Sequence, residues 1–279
     1  MKLLKYSILA IIISIGSLYG FMKINQYNIN DLGLNFLSWV KGLRGDSVDL
    51  SSISNQETVI PDHSPWSELL DLYVTKTGVV NYKGFIEDKA KLEEYLNTLS
   101  SYPPGENWGT KDKLAYWINA YNAFTVKLIV DNYPLKSIKD IANGLPMINS
   151  PWDIKFFKIG ETDFDLNTIE HEILRKQFDE PRIHFAINCA SFSCPRLRNE
   201  AYETDKLEEQ LEEQASLFIN NPDKNIISSS NAKLSKLFSW FESDFIKDGG
   251  VKSFIMKYNP NLNKNTNVEY LEYIWTLNE

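Results

Sequence analysis

The residues best suited to chemistry stand together in RIHFAINCASFSCPRLR, residues 182–198. This stretch holds both cysteines of the chain, Cys189 and Cys194, and His184, one of the three histidines. A thiolate is a nucleophile and a metal ligand, and two cysteines this close in sequence can form a disulfide. Four hypotheses follow: a cysteine enzyme, a redox or structural disulfide, a zinc site that includes His171 and His184, or a binding module whose cysteines are buried apolar side chains.

Spacing within the stretch argues against a direct pair of His184 and Cys189. The alternation in RIHFAIN predicts a β-strand. Five extended residues at about 3.3 Å each place His184 roughly 16 Å from Cys189. A general base must come within about 3 Å of its nucleophile, or act through one water. The pair is therefore expected only if the chain bends sharply after Ile187.

A second histidine comes from the preceding segment, LNTIEHEILRKQF, which predicts a helix antiparallel to the strand. In that arrangement His171 lies level with residues 184–186, and the N-terminus of the helix lies nearer Cys189, where it favours a thiolate. Glu170 belongs to the same first turn, but Asn167 and Glu170 also fit a capping box. Glu170 is therefore either a site residue or a helix cap.

Two asparagines lie in KLAYWINAYNAFTVKLIVDNYP, the most hydrophobic segment outside the N-terminus. Because it is apolar on every side, it predicts a buried central helix at about 111–131. Asn119 and Asn122 are three residues apart and share one face. Buried amides need hydrogen-bond partners, so the two side chains either tie neighbouring loops to the core or line a site.

The N-terminus predicts a membrane-targeting segment over residues 1–23. Lys2 and Lys5 precede seventeen uncharged, mostly apolar residues, Tyr6 to Met22. A helix of that length is about 26 Å long, which is just enough to span a thin bilayer core. An uncleaved signal anchor and a cleaved signal peptide are both compatible with this pattern. Either way, we expect the rest of the chain outside the cytoplasm, in the cell envelope and anchored in the inner membrane, or secreted if the signal is cleaved.

The remaining sequence predicts a tether at residues 24–63 and a single globular domain at 64–279. Helical and short strand patterns interleave without regular βαβ spacing, so the predicted class is α+β, with helices packed around a small, largely antiparallel sheet. The net charge of −8 without a basic run argues against nucleic acid as a partner. The sequence has no glycine-rich phosphate loop and predicts no cofactor or metal; an unidentified small molecule or peptide is the expected partner.

Three motifs in this order resemble a known family. They are YWINAYNAF at 116–124, LNTIEHEILR at 166–175 after a predicted hairpin, and HFAINCASFSCPRLR at 184–198. Together they are similar to the bacterial and plant domain of unknown function 547, DUF547, with the strongest likeness at about 107–218. The family has no established reaction, so the resemblance implies little about activity. In plants, related domains occur in proteins that also carry a glutaredoxin-like domain, which is a link to thiol chemistry by association only.

The leading hypothesis is cysteine-dependent hydrolysis or group transfer at a site where the three motifs converge. Arg196 and Arg198 follow the cysteines and are expected to add positive charge near Cys194, which favours a thiolate. Reaction at such a site needs a nucleophile, a base and an orienting or oxyanion-stabilising group. The candidates for these roles are Cys189, Cys194, His171, His184, Glu170, Asn119 and Asn122.

Overall fold

The computed structural model describes residues 58–141 and 150–279 of the chain. The predicted segment 1–23 and most of the predicted tether lie outside the described residues, so both stay predictions. In the described ranges the α-helices are α1 Ser64–Tyr73, α2 Tyr82–Glu87, α3 Lys89–Ser101, α4 Thr110–Asn132, α5 Arg175–Gln177, α6 Ile183–Ala186, α7 Leu207–Ile219, α8 Leu237–Trp240 and α9 Val251–Met256. A π-helix spans Thr168–Leu174, and short 3-10 helices span Ile138–Asp140, Pro151–Asp153 and Glu242–Asp248.

The central helix α4 is buried on every face over most of its length. Its residues are apolar all round, so no face gains from contact with water. The prediction of a buried helix at about 111–131 is therefore confirmed. Asn119 and Asn122 lie in the middle of α4 and are 0% and 2% exposed, so their amides must find partners inside the protein.

Two small sheets complete the fold. Strands β1 Phe157–Ile159 and β2 Thr162–Phe164 form the predicted hairpin, and Gly160 takes the positive φ of its turn. Strands β3 Ile226–Ile227, β4 Asn231–Leu234 and β5 Asn267–Tyr270 form a second sheet, antiparallel between β3 and β4 and parallel between β4 and β5. The α+β class is confirmed, with the strands divided between two sheets.

Two hydrophobic clusters fill the interior. The first surrounds α4, and the second lies among α7, α8 and α9. The short helix α6 lies between them, because Ile183 and Ala186 belong to the first cluster and Phe185 to the second. One helical turn presents side chains to both sides in this way, so α6 anchors the loop that follows it, which carries the cysteines.

The prediction of a strand at RIHFAIN is wrong, because residues 183–186 form α6. The apolar residues that suggest a strand instead pack against two hydrophobic clusters, which lie on opposite sides of one helical turn. Helical residues rise by about 1.5 Å rather than 3.3 Å, so the chain from His184 to Cys189 is shorter than an extended chain. The estimate of about 16 Å, which assumes a strand, no longer applies.

The predicted helix at LNTIEHEILRKQF is present, but its first part, Thr168–Leu174, is a π-helix. The Asn167 side chain does not cap it. The side chain of Asp165 accepts from the N–H of Thr168 instead, and the Asn167 amide binds Asp153. Glu170 is therefore not held as the partner of an Asn167 capping box.

The last strand ends at Tyr270, and residues 271–279 continue as a C-terminal tail. The tail crosses the cysteine region, where the N–H of Phe192 donates to the Thr276 oxygen at 2.7 Å. Further along, Val80 donates to the Asn278 oxygen at 2.8 Å. The tail therefore joins the first helices to the cysteine loop.

Of the helices at residues 58–141 and 150–279, none is both long enough and apolar enough to cross a membrane.

Candidate functional site

A tight loop brings the two cysteines together. After α6 the chain passes through Asn188, whose side chain accepts from the N–H of Ala190 at 2.8 Å and donates to the Pro195 oxygen at 2.6 Å. Ala190 adopts a left-handed conformation with φ of 59°. That conformation is uncommon for residues other than glycine, and here the Asn188 hydrogen bonds hold it in place. The loop from Cys189 to Cys194 therefore folds back on its own start.

Both cysteines are free thiols, and the backbone of Cys189 contacts the sulphur of Cys194. Cys189 is half-buried and Cys194 is buried. The backbone N–H of Cys189 donates to Sγ of Cys194 at 2.8 Å. The loop thus holds a half-buried cysteine beside a buried one.

Two hydroxyl groups complete the surroundings of the Cys189 sulphur. Ser191 Oγ lies 3.1 Å from it and Tyr273 OH lies 3.2 Å from it. The serine hydroxyl also donates to the tyrosine oxygen at 3.1 Å. Tyr273 comes from the C-terminal tail, so this cluster joins residues that are more than eighty positions apart in sequence.

The surroundings shift the pKa values of the two thiols in opposite directions. Burial disfavours ionisation of Cys189, but hydrogen bonds from Cys194, Ser191 and Tyr273 outweigh burial and lower its pKa below the ordinary thiol value. Burial raises the pKa of Cys194 well above that value, and the neighbouring Cys189 raises it further. Cys189 is therefore the thiol that ionises first, with Cys194 as a protonated donor beside it.

The asparagines of α4 hold backbone groups. Asn122 donates to the Ala186 oxygen at 3.0 Å and accepts from the N–H of Asn188 at 2.8 Å. Asn119 makes the equivalent pair of bonds with the backbone of Tyr202, at 2.8 and 2.9 Å. Both amides tie loops to the core, which is the first of the two interpretations open at the sequence level. Through Asn122, α4 fixes the chain immediately before Cys189.

Glu170 lies close enough to Cys189 for its charge to oppose ionisation of the thiol. Its carboxylate is buried and accepts from the hydroxyl of Tyr121 at 3.1 Å. Glu170, near the start of the π-helix, is thus the group of that helix that acts on Cys189. We expect a helix N-terminus to lower the pKa of a thiol, but the negative charge of Glu170 raises the pKa of Cys189.

His184 is bound by an acidic partner. Its Nε2 lies 2.8 Å from Oδ2 of Asp244, its ring stacks on Phe241, and its Nδ1 is buried without a hydrogen-bond partner. Arg175 clamps the same aspartate at 2.6 and 2.8 Å. The resulting cluster of His184, Asp244 and Arg175 joins α6 to the 3-10 helix Glu242–Asp248.

His171 lies beside this cluster. Its Nδ1 is 3.2 Å from Nη1 of Arg175, and its ring lies near Phe241 with centroids 6.3 Å apart. No three His, Cys, Asp or Glu side chains in the described ranges come together in a way that could hold a metal ion. The zinc hypothesis, which needs both histidines and both cysteines around one ion, therefore has no support in this geometry.

Arg196 and Arg198, which follow the loop, form hydrogen bonds with groups other than the thiols. Arg196 binds Gln214 and the Lys76 oxygen, and Arg198 binds Glu200 and Glu213. The expectation that they supply positive charge to Cys194 is wrong, because carboxylates and amides on neighbouring segments take up their guanidinium groups.

Comparison of the sequence with known protein families gives one match. Residues 105–219 match the model of a family described as "Protein of unknown function, DUF547". The chain contains a DUF547 domain. No curated protein and no solved structure matches the chain. The DUF547 segment begins just before α4 and ends with α7, so it includes all seven candidate residues of the sequence analysis.

Two further residues of the site, Tyr273 and Asp244, lie beyond the DUF547 segment. No sequence pattern marks them, because only the folding of the C-terminal tail and of the 3-10 helix places them near α6 and the cysteine loop. Ser191 and Asn188 lie inside the cysteine motif itself. Their positions beside the cysteines are the signal that could have identified them, as short polar side chains that shape tight loops.

Proposed function

We propose that this chain is a dithiol protein in which Cys189 and Cys194 carry out thiol–disulfide exchange. The observation that supports the proposal is the contact of the Cys189 backbone with the Cys194 sulphur, in a loop whose two free thiols have pKa values shifted in opposite directions. A half-buried thiolate with a buried thiol next to it suits exchange, because one sulphur attacks and the other resolves the mixed disulfide.

The exchange proceeds in two displacements. The Cys189 thiolate attacks one sulphur of a substrate disulfide, so that a mixed disulfide forms and one substrate thiolate leaves. Cys194 then loses its proton and attacks the Cys189 sulphur, which releases the second substrate thiol and leaves a disulfide between Cys189 and Cys194. A dithiol reductant restores the two thiols, and each step conserves electrons between the sulphurs.

Alkylation and mass measurement test this proposal. In reduced protein, iodoacetamide should modify Cys189 before Cys194, with a midpoint below the ordinary thiol pKa of about 8.5. Treatment with an excess of a small disulfide should give a product two protons lighter than the reduced protein. Cys194→Ser should stop at the mixed disulfide on Cys189, and Cys189→Ser should form no adduct.

The proposal fails if Cys194→Ser and the unmodified chain give the same mixed disulfide, because Cys194 would then not resolve it. It fails equally if Cys189 is slower to alkylate than Cys194. A folded Ser193→Ala variant is the matched control, since it removes a hydroxyl of the same loop that binds the Ile274 N–H and retains both thiols.

A cysteine hydrolase or transferase is the second candidate, and the pair of His184 and Asp244 favours it. An aspartate that binds one ring nitrogen orients a histidine and leaves the other nitrogen available as a base. The buried Nδ1 of His184 is such a nitrogen. What this candidate lacks is a hydrogen bond between that ring and Cys189, whose sulphur binds hydroxyls instead.

One assay separates the two candidates. If His184 is the base of Cys189, His184→Gln should shift the midpoint of Cys189 alkylation by about one pH unit or more, and Cys194→Ser should not. The dithiol proposal expects the reverse. Both variants keep Cys189 itself, so the same labelled peptide is followed in every sample.

We further propose that residues 1–23 place the domain outside the cytoplasm, where an uncleaved segment anchors it in the membrane. The support is the sequence pattern of a basic start and an apolar run. A fusion of alkaline phosphatase after residue 279, which is active only after export, tests the location. The matched control is the same fusion without residues 1–23. Export is contradicted if both fusions are inactive in cells.

A further inference from the structure

Two lysines act electrostatically on Cys189. Lys139 lies in the 3-10 helix Ile138–Asp140, and Lys224 lies between α7 and β3. Burial, the largest effect, lowers the pKa of both lysines. The charge of Cys189 raises the pKa of Lys139, and the charges of Cys194, Asp223 and Cys189, in that order, raise the pKa of Lys224. These two lysines are cations near the cysteines that the sequence pattern does not mark.

Each of these lysines faces an aromatic ring. Nζ of Lys139 lies 3.7 Å from the centroid of Trp275, and Nζ of Lys224 lies 4.2 Å from that of Phe192 and donates to the Phe192 oxygen. In the described part of the chain neither forms an ion pair with a carboxylate; Asp223, next to Lys224, acts on it only through space. A partly desolvated cation without a carboxylate partner favours an incoming anion.

An aromatic cluster adjoins the thiol on the same tail. Its members are half-buried, and their ring centroids lie 4.5 to 5.9 Å apart. The members are Trp152, Trp240, Tyr273 and Trp275. Because the hydroxyl of Tyr273 binds the Cys189 sulphur, this cluster leads directly to the thiol. Half-buried tryptophans offer an apolar surface to a bound molecule while their edges remain in water.

We propose that the Cys189 site takes a small disulfide that carries carboxylate groups, bound by Lys139 and Lys224 and packed against the aromatic cluster. The proposal rests on the dithiol function and names its substrate class. Glu170, whose charge also acts on Arg175, is the acidic group near the thiol, and it opposes the binding of an anion that the two lysines favour. The leaving thiolate carries a carboxylate and is drawn to the same cations.

Two chromogenic disulfides of similar size test this substrate class. One is 5,5′-dithiobis(2-nitrobenzoate), which carries two carboxylates, and the other is 2,2′-dithiodipyridine, which is uncharged. The measured quantity is the ratio of their rate constants with reduced protein at low ionic strength. A lost lysine also changes the thiolate fraction of Cys189, but that change affects both rates equally and cancels in the ratio.

Lys139→Gln and Lys224→Gln should each lower the ratio about threefold, and the double variant should lower it further. Lys233→Gln is the matched control, because Lys233 is an exposed lysine of β4 with the same charge. Its ratio should equal that of the unmodified protein.

The outcomes separate this inference from the function on which it rests. If the neutral probe reacts at Cys189 and the ratio is the same in all variants, the anionic substrate class is wrong and the dithiol function stands. If Lys233→Gln lowers the ratio as much as the other two, general charge and not a site is responsible, and the inference is again wrong. If neither probe reacts at Cys189, both proposals fall.

Discussion

At the scale of single residues, the hydrogen bonds to the Cys189 sulphur lower the pKa of this thiol. Tyr273 is the donor that comes from farthest along the chain. Tyr273→Phe removes its hydroxyl and retains the ring, so the pKa of Cys189 should rise by about one unit. The midpoint of iodoacetamide alkylation against pH measures the change.

The control is Tyr270→Phe, which removes the hydroxyl of an exposed tyrosine three positions earlier. It should leave the midpoint of Cys189 unchanged. An unchanged midpoint in Tyr273→Phe would show that the tyrosine hydroxyl does not stabilise the thiolate in solution.

At the scale of elements, the position of the cysteine loop is set by α4 through Asn122. The two amides of α4 provide a matched pair, because Asn122 binds the chain before Cys189 and Asn119 binds the loop at Tyr202. Each change to alanine leaves buried backbone groups without partners and should lower the free energy of unfolding by about 2–3 kcal/mol, measured in urea.

Only Asn122→Ala should also alter the alkylation rate of Cys189 in the folded state. If Asn119→Ala changes that rate equally, the loop depends on the overall stability of the fold and not on its attachment to α4. The comparison thus distinguishes a positioning residue from a general contribution to stability.

At the scale of the whole molecule, Asp244 joins segments distant in sequence. It binds Arg175 and His184, and the pKa of its carboxyl is well below the ordinary value because hydrogen bonds and the charges of these two residues outweigh burial. Asp244→Asn should lower the free energy of unfolding at pH 7 by about 3 kcal/mol, since it leaves Arg175 and His184 without their charged partner.

The pH dependence of this difference follows from the direction of the shift. A carboxyl with a lowered pKa in the folded state stabilises the protein fully above its unfolded pKa of about 4, and that contribution is lost as the pH falls below it. The difference in the free energy of unfolding between Asp244→Asn and the unmodified chain should therefore become smaller below pH 4. Asp179→Ala is the control, because its pair with Lys247 is exposed and contributes little to stability.

The sequence by itself determined the elements that depend on local pattern. An all-round apolar segment with Pro134 after it predicts α4, and the glycine at position 160 predicts the hairpin turn. It also singled out the cysteine motif, since both thiols stand within one short segment. These features are fixed by residues that are neighbours along the chain.

Only the tertiary structure decided how the site is completed. Residues 183–186 form a helix because two clusters contact them from opposite sides, and that environment is absent from the local sequence. Tyr273, Asp244, Lys139 and Lys224 reach the site by chain folding, with no periodicity that marks them. The ionisation of Cys189 depends on donors and charges that are distant in sequence. Hydrogen bonds act only at contact and charges over about 10 Å, so the ionisation is a property of the fold and not of the motif.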